Sequence, residues 1–314
     1  MSALAAVSAF ALALTSCGGE DAGSSGSGDG GEELSGDVGV DGSSTVAPLS
    51  SAAAALYAEE QPQVNVTVGT SGTGGGFEKF CNGETDISDA SRPIKDEEIA
   101  ACEANSISYA ELIVANDALT VVVNPAVDFV DCLTVEQLNA IWGPDSTIAN
   151  WSEVDPSFPD LPLDLYGAGT DSGTFDYFTD VINGEEGASR SDYSATEDDN
   201  VTVQGVSGDR GALGYFGFSY FEENQDQLKA LEVDGGGGCV APSVAAAQDD
   251  SYTPLSRPLF VYANQTSFDD NEDLRNFVKF MFDNNEAIAT GAQFVPLSGD
   301  QIAEQLAKFE DATS

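Results

Sequence analysis

The chain has 314 residues, 41% of them hydrophobic, with 10 Lys and Arg against 54 Asp and Glu, no His and a net charge of −44. That length carries two lobes with a core each, and the charge has the wrong sign for binding nucleic acid or anionic lipid. The lack of His removes the usual Ser–His hydrolase and most metal catalysis, leaving carboxylate-bound Mg²⁺ or Ca²⁺ as the metal chemistry still open.

An apolar run from Ala3 to Leu14 is too short to span a bilayer comfortably. It ends in Leu14-Thr15-Ser16-Cys17 with glycines after it. This ending resembles the lipobox of a bacterial lipoprotein signal peptide. Residues 1–16 are then expected to be a signal peptide, with Cys17 lipidated as the first residue of the mature chain. No Lys or Arg precedes the run, unlike most signal peptides, and an ordinary signal peptide with an incidental Cys is the alternative. Residues 17–36, rich in Gly, Ser and acid, read as a flexible tether.

Strand and helix signals then alternate. Asp37 to Val40 predicts a strand. Val46 to Glu60 predicts a helix with Pro48 in its first turn. Val64 to Val68 alternates as a strand does. A helix is expected at Gly76 to Cys81 and a short strand at Asp86 to Ala90. Ala118 to Asn124 reads as a buried strand, and Thr134 to Trp142 as a helix with Thr134 as N-cap. A strand at Leu163 to Tyr166 precedes a helix at Thr174 to Ile182. Gly211 to Phe218 and Leu259 to Tyr262 are further strands. Asp270 to Asn284 predicts a long amphipathic helix with Leu274, Phe277, Val278 and Met281 on one face. A last helix is expected at Gly299 to Phe309. This order is that of an α/β fold.

Four cysteines follow Cys17: Cys81, Cys102, Cys132 and Cys239. An even number in an exported chain implies disulfides, with three possible pairings. A zinc site would want His or a close Cys-x-x-Cys, and the chain has neither. The acid excess resembles the surface of a halophile's protein, and such a surface repels itself until salt screens it.

Three segments share one design of strand, Ser/Gly/Thr loop and helix. They are Asp41-Gly42-Ser43-Ser44-Thr45, Thr70-Ser71-Gly72-Thr73-Gly74-Gly75-Gly76 and Gly169-Thr170-Asp171-Ser172-Gly173-Thr174. Each sets backbone N–H groups and hydroxyls at a helix start, where the dipole adds partial positive charge. Glycine lets the backbone come close to a ligand. N-capping alone explains one such loop; three in one chain point to an oxyanion site. A fourth segment, Asp86-Ile87-Ser88-Asp89-Ala90-Ser91-Arg92-Pro93-Ile94, brings Arg92. Its guanidinium can fork two oxygens of an oxyanion, and a surface salt bridge is its plainer use.

From Gly39 to Lys308 the chain resembles the substrate-binding protein of the bacterial phosphate-specific ABC transporter, the PstS family. DGSSTVAPL, GTSGTGGGF and DISDASRPI resemble the family's three first-lobe loops, and GAGTDSGTFDYF its second-lobe loop. GALGYFGFSY, SRPLFVYAN and FVPLS resemble its framework segments. The resemblance implies a two-lobed periplasmic-binding-protein fold of type II. Two hinge strands, near 112–118 and 253–259, would join the lobes around a central cleft. Lobe one would be 37–114 plus 257–314, and lobe two 115–256. With those lobes, Cys81–Cys102 and Cys132–Cys239 keep each disulfide within one lobe. The implied ligand contacts are Ser43, Ser44, Thr45, Ser71, Gly72, Thr73, Ser91, Arg92, Ser172, Gly173 and Thr174.

One departure stands out. Several members of the family carry Asp where Arg92 aligns, and an Arg before the second-lobe Ser-Gly-Thr. Here the positive charge has changed lobes, which leaves Asp171 and Asp89 as candidates for accepting the proton of bound phosphate. The resemblance further implies extracytoplasmic capture of inorganic phosphate by a monomeric, membrane-anchored lipoprotein. Its partners would be the permease subunits of an ABC importer, with no cofactor, no metal, no nucleic acid and no enzymatic activity. The competing readings are a binding protein for sulfate, molybdate or tungstate, a phosphate-related hydrolase, and a sensor or adhesion lipoprotein. Trp142 and Trp151 are candidate reporters of cleft closure.

Overall fold

The computed structural model describes residues 34–313 apart from Asp171. The expected signal peptide, Cys17 and nearly all of the tether lie outside those residues, as does Asp171. In chain order the strands are β1 (Gly36–Gly42), β2 (Val64–Val68), β3 (Ile87–Ala90) and β4 (Tyr109–Val123). Next come β5 (Cys132–Thr134), β6 (Asp164–Ala168), β7 (Ser194–Thr196) and β8 (Ala212–Gly217). The last are β9 (Lys229–Ala230), β10 (Glu232–Asp234), β11 (Cys239–Val240) and β12 (Ser256–Asn264).

The fold is α/β, with a main sheet ordered β2-β1-β3-β12-β4-β8-β6-β7, while β9 also pairs with β4. A small sheet, β11-β10-β5, stands apart. The long strand β4 joins the two halves. Its residues 109–118 pair antiparallel with β12, and residues 119–123 pair antiparallel with β8. The apolar run Ala118 to Asn124 marks only the second half of this strand. Its first half carries Glu111, Asn116 and Asp117, which interrupt the apolar pattern. Those polar groups find partners in place: Tyr262 donates its hydroxyl to Glu111, and Arg257 pairs with Asp117. A strand can hold such residues when their hydrogen bonds are met.

Two cores flank each half of the sheet. In the first half, Val38, Val40, Tyr57, Leu112 and Val114 pack with Leu274, Phe277, Val278 and Met281 of helix Glu272–Asp283. On the other face lie Phe77, Phe80, Phe260 and Tyr262. In the second half, Leu119, Val121 and Val123 face Trp142, Phe178 and Tyr215, while Val122 points the opposite way to Val206 and Phe216. This is the two-residue alternation of a strand buried on both faces. Full burial of a side chain such as Phe277 stabilises the fold by about 1.5–3 kcal/mol.

Several boundaries move for physical reasons. The helix expected from Asp270 to Asn284 runs Glu272–Asp283, because Asn271 leaves the helical path and its side chain accepts from the Leu274 N–H; a separate short helix, Gln265–Asp270, precedes it. The helix after Ser172 runs Gly173–Phe178 and continues as a π-helical turn, Thr179–Asn183. Helices Asp96–Ala104 and Asp199–Gly208 escape the sequence pattern because neither carries a long apolar stripe: Cys102 is the buried residue of the first, and Thr202, Val203 and Val206 are those of the second. Disulfide Cys81–Cys102 ties helix Gly72–Cys81 to helix Asp96–Ala104, and Cys132–Cys239 ties β5 to β11. Among the described residues no helix is long and apolar enough to cross a membrane.

Candidate functional site

The loops after β1, β2 and β3 leave the same end of adjacent strands and converge on a cleft of about 640 Å³. Ser43, Ser44, Thr45, Gly72, Thr73, Ser91 and Arg92 line its first wall. Gly173, Asp176 and Tyr177 from helix Gly173–Phe178 line the second, with Asp180 and Glu186 beyond them. Asp250, Ser256 and Arg257 bring in the segment that leads into β12. Three of the ten cations of the chain, Arg92, Lys95 and Arg257, therefore face one cleft together with four carboxylates. That is close to charge balance in a chain of net charge −44.

The first two loops are bound to each other. Ser71 donates its N–H (3.1 Å) and its hydroxyl (2.5 Å) to Asp41, and Lys79 holds the other carboxylate oxygen at 2.6 Å. Burial works against the Asp41 charge, but the Lys79 and Ser71 bonds outweigh it and hold the carboxyl below its usual range. A Cβ on Gly76 would sit 2.5 Å from the Gly42 Cα, so only glycine lets the second helix come this near the first loop. Thr73 and Ser91 bring the second and third loops together, their hydroxyls 3.1 Å apart. The two walls meet at Gly173, where a Cβ would lie 2.6 Å from the Thr45 hydroxyl oxygen.

Arg92 is held by its own loop. Its Nη1 and Nη2 fork Glu98 at 2.9 and 2.8 Å, and Nη1 also donates to the Pro93 carbonyl at 3.0 Å. These bonds use three of the five guanidinium N–H groups. Nε–H and one Nη2–H remain, and they point the same way. The arginine is thus both in a salt bridge and equipped with a second fork. Burial opposes the Glu98 charge, yet Arg92 and the Lys95 N–H hold its pKa below the usual value.

Not every expected residue lines the cleft. Ser71 is committed to Asp41. The Ser172 hydroxyl accepts from the Thr174 N–H at 3.2 Å, and neither residue is part of the lining. Asp89 is fully buried at the end of β3, away from the lining, and accepts the Ser50 hydroxyl at 2.9 Å. Burial pushes its pKa up to about 7, with the Asp41 charge adding to the rise. Trp142 and Trp151 are fully buried in the second core and do not touch the cleft.

The sequence reading placed SRPLFVYAN in the framework and so missed Arg257. The guanidinium of Arg257 lies 3.7 Å above the Tyr177 ring and donates from Nε and Nη2 to Asp117, both at 3.1 Å. Asp176 was missed as well. Burial pushes its carboxyl up, the Glu186 charge adds to this, and Arg257 opposes it. Among the described residues, Cys132, Glu232 and Cys239 come close enough to share a metal ion, but the two sulfurs are bonded to each other.

Residues 27–285 match the family model described as a PBP superfamily domain. The chain is 50% identical over 260 residues to protein SphX of Synechocystis sp., covering 82% of this chain and 77% of that one. It is 40% identical over 272 residues to the phosphate-binding protein PstS of Staphylococcus saprophyticus, covering 86% and 83%. A solved structure described as a possible phosphate binding protein from Planctomyces limnophilus is 45% identical. It superposes with a TM-score of 0.84 over 90% of this chain and 100% of that chain. The chain belongs to the PBP superfamily, in the family that includes PstS and SphX.

Proposed function

We propose that this protein captures inorganic phosphate outside the cytoplasmic membrane and delivers it to the permease of an ABC-type importer. The observation that carries the reading is the first wall of the cleft. Three Ser/Gly/Thr loops converge there beside an arginine that keeps an unused fork of N–H groups. Such a wall offers a tetrahedral anion charge, hydroxyls and directed donors together. Relatives that carry the name phosphate-binding protein support phosphate over other oxyanions. They are binding proteins, which supports a chain that holds its ligand without chemical change.

The proposed ligand set is Ser43, Ser44, Thr45, Gly72, Thr73, Ser91, Arg92 and Gly173 at the cleft, with Ser71, Ser172 and Thr174 shaping its loops. Asp171 remains the proposed acceptor of the phosphate proton. The proposed lobe boundaries stay at 115 and 257, close to where β4 changes partner from β12 to β8, between Ala118 and Leu119, and to the start of β12 at Ser256. Cys17 carries the lipid, residues 17–36 are the tether, and the folded part acts as a monomer.

One experiment tests capture and anchoring together. Cys17→Ser is expected to move the protein from the membrane fraction into the medium. The released protein, dialysed in molar KCl against labelled phosphate, is expected to retain it against a large excess of sulfate or molybdate. A variant that stays with the membrane contradicts the anchor. A released variant whose phosphate is displaced equally well by sulfate or molybdate favours the reading as a binder of another oxyanion.

A further inference from the structure

We infer that Arg257 is a second cationic contact for the bound anion and the residue that couples anion binding to closure of the cleft. The inference rests on the phosphate reading of that cleft. Arg257 sits at the start of β12, directly across from Asp117 on β4. Both strands that carry the chain between the halves therefore meet at this one ion pair. The Asp117 side chain is 8% exposed and that of Arg257 is 17% exposed, so the pair is sheltered but open to the cleft.

The guanidinium reaches three parts of the molecule at once. Nε and Nη2 donate to Asp117 on β4, at 3.1 Å each. Nη1 donates at 3.3 Å to the carbonyl of Ser91, beside Arg92 in the first wall. The flat face stacks on Tyr177 in the second wall, 3.7 Å from the ring centroid. Tyr177 is fixed in turn by donating its hydroxyl to the Pro254 carbonyl at 2.7 Å. A cation held over an aromatic face and shielded from water is a strong contact.

Three of the five N–H groups are used by these bonds, so one on Nη1 and one on Nη2 stay available. Asp117 alone would satisfy the charge of a purely structural arginine. A stack on the opposite wall together with spare donors in the cleft is what a ligand-sensing cation requires. A tetrahedral anion bound in the Arg92 fork has oxygens left over, and Arg257 supplies N–H groups for them. Because Arg257 is stacked on Tyr177, an anion that draws the guanidinium also draws the second wall.

The test compares wild type with Arg257→Lys and Tyr177→Leu in molar KCl, using inorganic phosphate. Lysine keeps the charge but has neither a fork nor a flat face. Both variants are expected to bind phosphate about tenfold more weakly or worse. The double variant is expected to lose little beyond Arg257→Lys, since the two residues act as one unit. Small-angle scattering at saturating phosphate is expected to show compaction of wild type and less of it in either variant. A merely structural role would lower the melting temperature without phosphate and leave affinity and compaction unchanged. Folded variants that bind within twofold of wild type and compact as it does overturn the inference. A wild type that binds no phosphate overturns the functional reading instead. If Arg257→Lys does not fold, Tyr177→Leu decides alone.

Discussion

Arg92→Ala is expected to weaken phosphate binding roughly 30-fold or more, because losing one partner of a buried, charged hydrogen bond costs about 2–5 kcal/mol. The cost has two sources. The free fork of Nε–H and Nη2–H disappears with the side chain. Glu98 also loses its partner, and its side chain is only 14% exposed, so an uncompensated carboxylate is left beside an anion site. The second source can be separated from the first. In a Glu98→Gln background the same Arg92→Ala change should cost less, because no carboxylate remains to repel phosphate. Calorimetric titration of the four proteins gives both terms. Near-normal binding by Arg92→Ala would remove Arg92 from the site. An equal loss in both backgrounds would assign the whole effect to the missing fork.

The loops of this site are readable in the chain because they are local. Each Ser/Gly/Thr segment follows a strand and opens a helix, so its role follows from a few adjacent residues. Arg257 is a different case. It meets Ser91 and Asp117 only through the antiparallel pairing of β12 with β3 and β4, across more than a hundred residues of chain. In the sequence it is one arginine before a proline, and nothing nearby marks it as facing a cleft. Ser172 and Thr174 are a local case: the Ser172 hydroxyl accepts from the Thr174 N–H, so the same motif that reads as an anion loop also caps its helix. The fold was legible wherever apolar periodicity was strong, as in Asp270 to Asn284. It failed where tertiary contacts satisfy polar residues, as in the first half of β4.

Salt is expected to stabilise this protein strongly. Eight of the ten Lys and Arg already hold a carboxylate. Ten cations leave most of the charge of the 54 acidic residues unneutralised. Like charges on an open surface repel until screened, and the Debye length falls to about 3 Å at 1 M salt. Relief of a few kcal/mol would raise the melting temperature by on the order of 10 °C between dilute buffer and molar KCl.

The pH dependence has a definite sign. Burial pushes Asp199 up to about 6, with the Asp198 and Glu197 charges adding to the rise. Burial likewise raises Asp164, helped by the neighbouring Asp209 carboxyl. A carboxyl raised by folding contributes its full stability below its unfolded value, and that contribution is lost as pH rises through the folded value. For Asp199 and the buried Asp89, that loss falls between about pH 4 and about pH 7. In dilute buffer the protein should therefore melt higher at about pH 5.5 than at about pH 7.5, and molar KCl should narrow the gap. A melting temperature that is flat or falling with KCl would contradict the repulsion account.

The central claim, that phosphate binds between the three first-wall loops and helix Gly173–Phe178, is tested most directly by a crystal structure of the protein with phosphate. The account predicts one phosphate in the cleft, with oxygens on Arg92 Nε and Nη2 while Glu98 keeps its grip on the other side of the guanidinium. Donors from Ser43 to Thr45, from Thr73, from Gly173 and from Arg257 complete the shell. A phosphate bound elsewhere, or one in the cleft that leaves the Arg92 fork empty, would contradict it.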